Sequence, residues 1–291
     1  MAALGLPARS CGLLMLLCAG AFSGEVRAAP SLKIDRLALH QFEDGTLLDR
    51  DYEFLPGETA FFSCRLDNYA VDENDEQHRK VKLAWKLEVR DSSGVLLVEP
   101  AQGRIDTELL KEDTDWLPKF LKTFIVPGFA LSGEYRITVR VHDEVAGSEV
   151  AGELKFRVKG RAVEPSGVLA VRNFGFLASE DDTSGMRQPI YHAGGMGWAR
   201  MDVTGYKFTE NNRFSVVFGM ALEDSEGKPL FTQPEAGGAS NESFYAQRYV
   251  PGTLTLNLDK DVAPGMYTLL ITVRDEIGNQ RVELREPFRV Q

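Results

Sequence analysis

Four carboxylates in this chain stand at a spacing that could bind a cation. Asp143-Glu144 and Asp275-Glu276 stand 132 positions apart, each pair closing a run of alternating apolar residues. A hard cation such as calcium wants about six to eight oxygens, and loop carboxylates gathered at one end of a fold could supply them. Glu43-Asp44 and Glu180-Asp181-Asp182 fall in earlier loops at matching places and could add to the set. Against this, no segment reads as the Asp-rich calcium loop, and an aspartate just after a strand often caps its own turn. Asp143, Glu144, Asp275 and Glu276 are therefore the calcium candidates, and no other cofactor is expected.

Catalytic groupings are thinner. The histidines, His40, His78, His142 and His192, show no spacing that pairs two of them on one element for a metal. His142 precedes Asp143, but Arg274 holds the corresponding place before Asp275, which rules out a catalytic histidine common to both halves. A Ser/His/Asp grouping is recognised by geometry rather than order, and the chain has no nucleophile-elbow pattern to announce one. "HAGGMG", His192 to Gly197, lacks the Lys and Ser/Thr of a phosphate cradle and reads as a flexible strand connection. "DENDEQHRK", Asp72 to Lys80, reads as an exposed loop, as does "GGASNES", Gly237 to Ser243, with its Asn241 sequon.

The elements that would position these residues come in two copies. Gly133, Tyr135, Val141, Asp143, Phe156 and Val158 meet Gly265, Tyr267, Val273, Asp275, Phe288 and Val290 at a constant offset of 132. Upstream, "WKLEVRDSSG" answers "FGMALEDSEG" at 133, setting Trp85 against Phe218 and Asp91 against Asp224. Two copies at such a period make a tandem domain pair, since solenoid repeats run about 20 to 50 residues. "YRITVRV" places Tyr135, Ile137, Val139 and Val141 on one face and Arg136, Thr138 and Arg140 on the other, as a half-buried strand requires. "LAWKLEV" and "FSVVFGMAL" alternate in the same way, and turn clusters such as "RDSSG", "EDSEG" and "APG" separate the runs. A helical turn fits only "TELLKEDTDWLPKFL", Thr107 to Leu121, where Pro118 limits it. The expected fold is all-β, with two tandem antiparallel β-sandwiches.

The amino terminus has one early charge at Arg9, a 12-residue apolar run from Cys11 to Phe22, and small residues around Ala28. That is the pattern of a secretory signal peptide, and the run is shorter than the ~18 to 20 residues of a membrane-spanning helix. Lipidation at Cys18 would want a small residue before it, and Leu17 is there. The expected organisation is thus a signal peptide at 1–28, a first sandwich at 29–160, a linker at 161–167 containing Pro165, and a second sandwich at 168–291. Losing 1–28 removes Arg9, Arg27 and Glu25, so the mature chain is one charge more acidic than the −10 of the whole. An acidic chain repels nucleic acid, and no transmembrane anchor is expected in the mature protein. Cys11 and Cys18 leave with the signal peptide, so no internal disulfide can form, and Cys64 alternates with Phe62 and Leu66 as a buried small residue would.

Each unit resembles a bacterial immunoglobulin-like or fibronectin-III-like domain. Gly133-Glu134-Tyr135 and Gly265-Met266-Tyr267 carry the resemblance, each opening a strand after a turn. It implies a tyrosine corner at Tyr135 and Tyr267, with Trp85 and Phe218 filling the core between the sheets. The expected function is that of an exported, non-enzymatic binding or scaffold protein, periplasmic or extracellular. Its partner would be another envelope or extracellular protein, or a glycan. The alternatives are a pilus-type periplasmic chaperone, which anchors a client carboxylate on basic residues in a cleft, and a sandwich-fold hydrolase. A spacer role would show as a rigid contact between the domains near Pro165.

Overall fold

The computed structural model describes residues 31–73 and 78–291, so the expected signal peptide, its cleavage site and Cys18 lie outside the described residues. Sixteen strands account for the regular structure. The first half contributes β1 Lys33–His40, β2 Glu53–Phe54, β3 Thr59–Asp67, β4 His78–Arg90, β5 Ala101–Leu110, β6 Lys119–Ile125, β7 Gly133–Asp143 and β8 Ser148–Val158. The second contributes β9 Ala170–Leu177, β10 Ile190–Tyr191, β11 Met196–Thr204, β12 Phe214–Glu223, β13 Pro229–Asn241, β14 Tyr249–Asn257, β15 Gly265–Asp275 and β16 Gln280–Val290.

Strand order is the same in both halves. A three-stranded sheet β1-β3-β6 faces a five-stranded sheet β2-β8-β7-β4-β5, and β9-β11-β14 faces β10-β16-β15-β12-β13. All pairings are antiparallel except the two-residue β2–β8 and β10–β16 ladders, which are parallel. Two sheets, Greek-key connected, with a short parallel strand on the outer edge, make each half an immunoglobulin-like sandwich. The alternation that identifies the strands also fills the core. Tyr135, Ile137, Val139 and Val141 of β7 are buried, as are Leu269, Ile271 and Val273 of β15.

Aromatic packing repeats as well. Phe156 has the rings of Phe54 and Tyr135 at 5.6 Å, and its counterpart Phe288 has Tyr191 at 5.8 Å and Tyr267 at 6.0 Å. Both tyrosine corners form. Tyr135 Oη donates to the Leu131 carbonyl at 2.9 Å, and Tyr267 Oη donates to the Ala263 carbonyl at 2.7 Å. Cys64 is fully buried in β3, and burial pushes its thiol up to about 12.

Three expectations need correction. The segment from Thr107 to Leu121 forms the end of β5, two turns and the start of β6, with no helix. Gly237 to Asn241 is the end of β13 rather than a loop, because backbone pairing with β12 holds a stretch whose Gly and Ala content gives no alternation. Phe218 is buried as expected, but Trp85 is only half-buried. Its ring stacks on Phe120 at 4.2 Å and fills the space over Gly103 of the neighbouring strand, where a Cβ would stand 2.5 Å from it.

Replacing Tyr135 or Tyr267 by Phe removes one corner hydrogen bond each and lowers stability in urea denaturation by about 1 kcal/mol. Cys64 stays unreactive toward a thiol reagent in native protein at pH 9 and reacts once urea unfolds the first domain.

Candidate functional site

Duplicate turns with different surroundings locate the site. The turn after β4 and the turn after β12 share one geometry. The Gly94 amide donates to the Asp91 carbonyl at 2.9 Å, and the Gly227 amide donates to the Asp224 carbonyl at 3.0 Å. Both glycines take positive φ, 81° and 80°, a conformation in which a side chain would be strained. Asp91 Oδ1 accepts the amides of Ser93 and Val95, and Asp224 Oδ1 accepts those of Glu226 and Lys228, all at 2.8 to 2.9 Å. This is how a short acidic side chain caps a turn.

The second carboxylate oxygens differ. Asp224 sits half-buried at the far end of the second domain, whereas Asp91 is 3% exposed beneath residues of the other domain. Tyr245 Oη donates to Asp91 Oδ2 at 2.9 Å, and Arg248 Nη2 lies 2.8 Å from the same oxygen. Arg248 also donates to Ser93 Oγ at 3.3 Å and rests over the Tyr245 ring, 5.5 Å from its centroid. Phe129 of the first domain stacks on Tyr245 at 5.8 Å, and Tyr245 packs into the first domain's core. Burial pushes the Tyr245 phenol well above the ordinary tyrosine range, so it stays a proton donor.

The connecting segment adds a second buried charge. Gly160 passes so close to the Ala130 carbonyl that a Cβ there would stand 2.0 Å from its oxygen. Ser132 Oγ donates to the Gly160 carbonyl at 2.6 Å, and Arg161 bridges back to Leu131. Arg161 Nε then lies 2.7 and 2.8 Å from the two oxygens of Asp202, which is 0% exposed, and makes its hydrogen bond to Oδ2. A β-bulge around Asn173, whose φ is 49°, aims that side chain at the same carboxylate. Asn173 Nδ2 reaches Asp202 Oδ2 at 2.8 Å and the Ala162 carbonyl at 2.9 Å. The segment expected to be a simple linker is thus bonded to both domains.

A cleft of about 450 Å³ lies over this junction, with Asp91, Ser132, Arg161, Thr204 and Arg248 on its walls. Both arginines are committed to buried aspartates, so neither is a free anchor for a ligand's carboxylate.

The four calcium candidates lie at equivalent strand ends but are already engaged. Asp143 Oδ1 accepts the amides of Val145 and Ala146, and its Oδ2 accepts that of Ala70. Asp275 Oδ1 accepts Ile277 and Gly278, and its Oδ2 accepts the Lys207 amide and Gln280 Nε2. Glu144 pairs with Arg104 at 2.5 Å, and Glu276 pairs with Arg274 at 3.2 Å. The early loops do not join them. Ala70 and Lys33 lie at the Asp143 end of the first sandwich, whereas Glu43-Asp44 follow the other end of β1. Asp182 caps its own turn through Ser184, Ala178 and Gly185, and those hydrogen bonds hold its carboxyl down to about 2. Among the described residues no three His, Cys, Asp or Glu side chains converge as a metal ion requires.

One Ser–His pair escaped sequence reading. His40 Nε2 stands 2.7 Å from Ser63 Oγ, and Nδ1 stands 2.8 Å from the Gly45 carbonyl. Both side chains are buried. The pairing depends on register, with Ala38 opposite Ser63 across β1 and β3, and 23 positions of sequence hid it.

No family model matches the chain, and no curated protein matches it. Among solved structures it matches the C-terminal domain of the AgI/II polypeptide BspA from Streptococcus agalactiae, with 9% identity over 88% of this chain and 99% of that one, at a TM-score of 0.27. At that score the likeness carries no weight, and the fold stands on strand order and register.

Asp91→Ala should cost the full chain about 3 kcal/mol in urea denaturation, because it strips the partner from a largely desolvated arginine. Asp224→Ala, in the same turn at the free end, should cost about 1 kcal/mol. Since the Tyr245 pKa is raised in the folded protein, its contribution is complete below the unfolded value of about 10 and is lost as pH rises beyond it. Tyr245→Phe should flatten that alkaline limb of the stability curve.

Proposed function

We propose that this is an exported scaffold or binding protein of the cell envelope, without catalytic activity, whose two immunoglobulin-like domains are held in one relative orientation. The observation that supports it is the buried carboxylate of Asp91, whose second oxygen takes Tyr245 and Arg248 from the other domain, beside Asp202, which takes Arg161 from the connecting segment. Inter-domain surfaces within one chain are usually loose and permit motion. Here a wrong seating that kept Asp91 buried would leave it without the Tyr245 hydroxyl and the Arg248 cation, which costs several kcal/mol. A rigid pair suits a protein that presents a surface at a set distance or angle to another envelope or extracellular protein.

The two alternatives fare differently. A chaperone that anchors a client's carboxylate needs unpaired basic residues in its cleft, and Arg161 and Arg248 are both spoken for. A hydrolase would have to run on His40 and Ser63, the only Ser–His pair among the hydrogen bonds described, and both are shut beneath the 41–48 loop.

Mild crosslinking of the tagged mature chain in its source cells, with ester and glycoside substrates tested in parallel, separates these readings. The expected result is a stoichiometric protein partner and no turnover. Turnover that disappears in Ser63→Ala would overturn the proposal in favour of a hydrolase.

A further inference from the structure

We infer that the outer edge of β8 in the first domain accepts an extended segment of a partner protein as an added strand, its apolar residues alternating and its flank acidic. This deepens the binding reading above and rests on it. β8 pairs with β7 along its full length, but on its other side β2 covers only Arg157 and Val158. The Lys159 amide donates to the Phe54 carbonyl at 2.8 Å, which fixes the side to which that alternate set of N–H groups points. Lys155, Glu153 and Ala151 share its parity, so their N–H and C=O groups face the same open side. No strand among the described residues pairs with them.

Beside this edge lies a groove of about 550 Å³ between β1 and β8, under the segment from Leu47 to Tyr52. Leu37, Leu39, Leu47, Leu48 and Leu154 give it an apolar lining, with Leu47 and Tyr52 well exposed. Its charged residues are Arg36 and Arg50 against Asp49, with Lys155 beside them already paired to Glu134 at 2.8 Å. On an acidic chain that local excess of cations selects an acidic flank in the occupant. Backbone pairing would supply affinity and the leucine-lined wall would read alternate side chains, as in strand addition generally.

The second domain provides an internal control. The Arg289 and Gln291 amides donate to the Pro189 and Tyr191 carbonyls at 2.9 Å, so Pro287 occupies the same outward parity as Lys155. Proline has no N–H to offer a new strand, and its presence on an edge blocks pairing. One copy of the fold closes this edge and the other leaves it open.

The test uses the ¹⁵N-labelled mature chain and a nonapeptide of alternating valine and threonine flanked by glutamates. Peptide should shift the amides of Ala151, Glu153 and Lys155 and slow their hydrogen exchange. Lys155→Pro, which copies the second domain and spares every β7 hydrogen bond, should weaken binding at least tenfold, whereas Lys155→Thr should retain it. N-methylating alternate valines of the peptide should have the same effect as Lys155→Pro. Shifts mapping elsewhere, equal binding by Lys155→Pro, or no shift at millimolar peptide would overturn the inference. So would concentration-dependent protection of this edge without peptide, which would make a second copy of the chain the occupant. Interdomain orientation is untouched by Lys155→Pro, so failure here leaves the rigid-pair reading standing.

Discussion

The contact between the two domains centres on the carboxylate of Asp91, which takes Tyr245 and Arg248 from the second domain. A carboxylate taken out of water costs several kcal/mol unless charge and hydrogen bonds replace the lost hydration. Asp91 receives two amides from its own turn, then the Tyr245 hydroxyl and the Arg248 guanidinium from the other domain. Those last two groups have reach but little freedom, because Tyr245 is stacked on Phe129 and carries Arg248 above its ring. Asp202 repeats the logic on the other side with Arg161 and Asn173. Two buried aspartates, one paired across the junction and one paired with its connecting segment, add directional contacts to the apolar packing between the domains.

Duplication explains why such a junction could arise without a new fold. Both domains carry the same aspartate-capped turn, the same tyrosine corner and the same phenylalanine at the centre of the core. What distinguishes the copies lies at their edges and ends. One turn lies at the junction while its twin lies at the free end, and one sheet edge has Pro287 where the other has Lys155. The tyrosine corner and the Phe156 and Phe288 packing are kept in both domains, while core positions such as Trp85 and Phe218 or Ile137 and Leu269 differ in detail.

Much of the fold is legible in sequence because strand alternation and turn residues are local. "YRITVRV", "YTLLITV" and the Gly-x-Tyr phrases specify strands, inward faces and corners without reference to anything distant. β13 escapes because "PEAGGASN" pairs through backbone alone and shows no alternation. Trp85 looks like a core residue, yet its burial depends on Gly103 on the next strand, which no local pattern reveals. The junction is the least legible part. Asp91 and Tyr245 are 154 positions apart, and "RDSSG" reads the same as "EDSEG" until the partner domain is in place. Asp143 and Asp275, the residues that first suggested chemistry, are absorbed by amides of their own turns and of the loop beside them.

If the junction contacts hold the domains as proposed, the two tumble as one rigid body. Residual dipolar couplings on weakly aligned residues 29–291 decide this, because each domain reports its own alignment. A single tensor, equal in magnitude and orientation, should fit the amides of both domains. Two tensors of different magnitude would mean that the domains move independently and that Asp91 and Asp202 do not hold them.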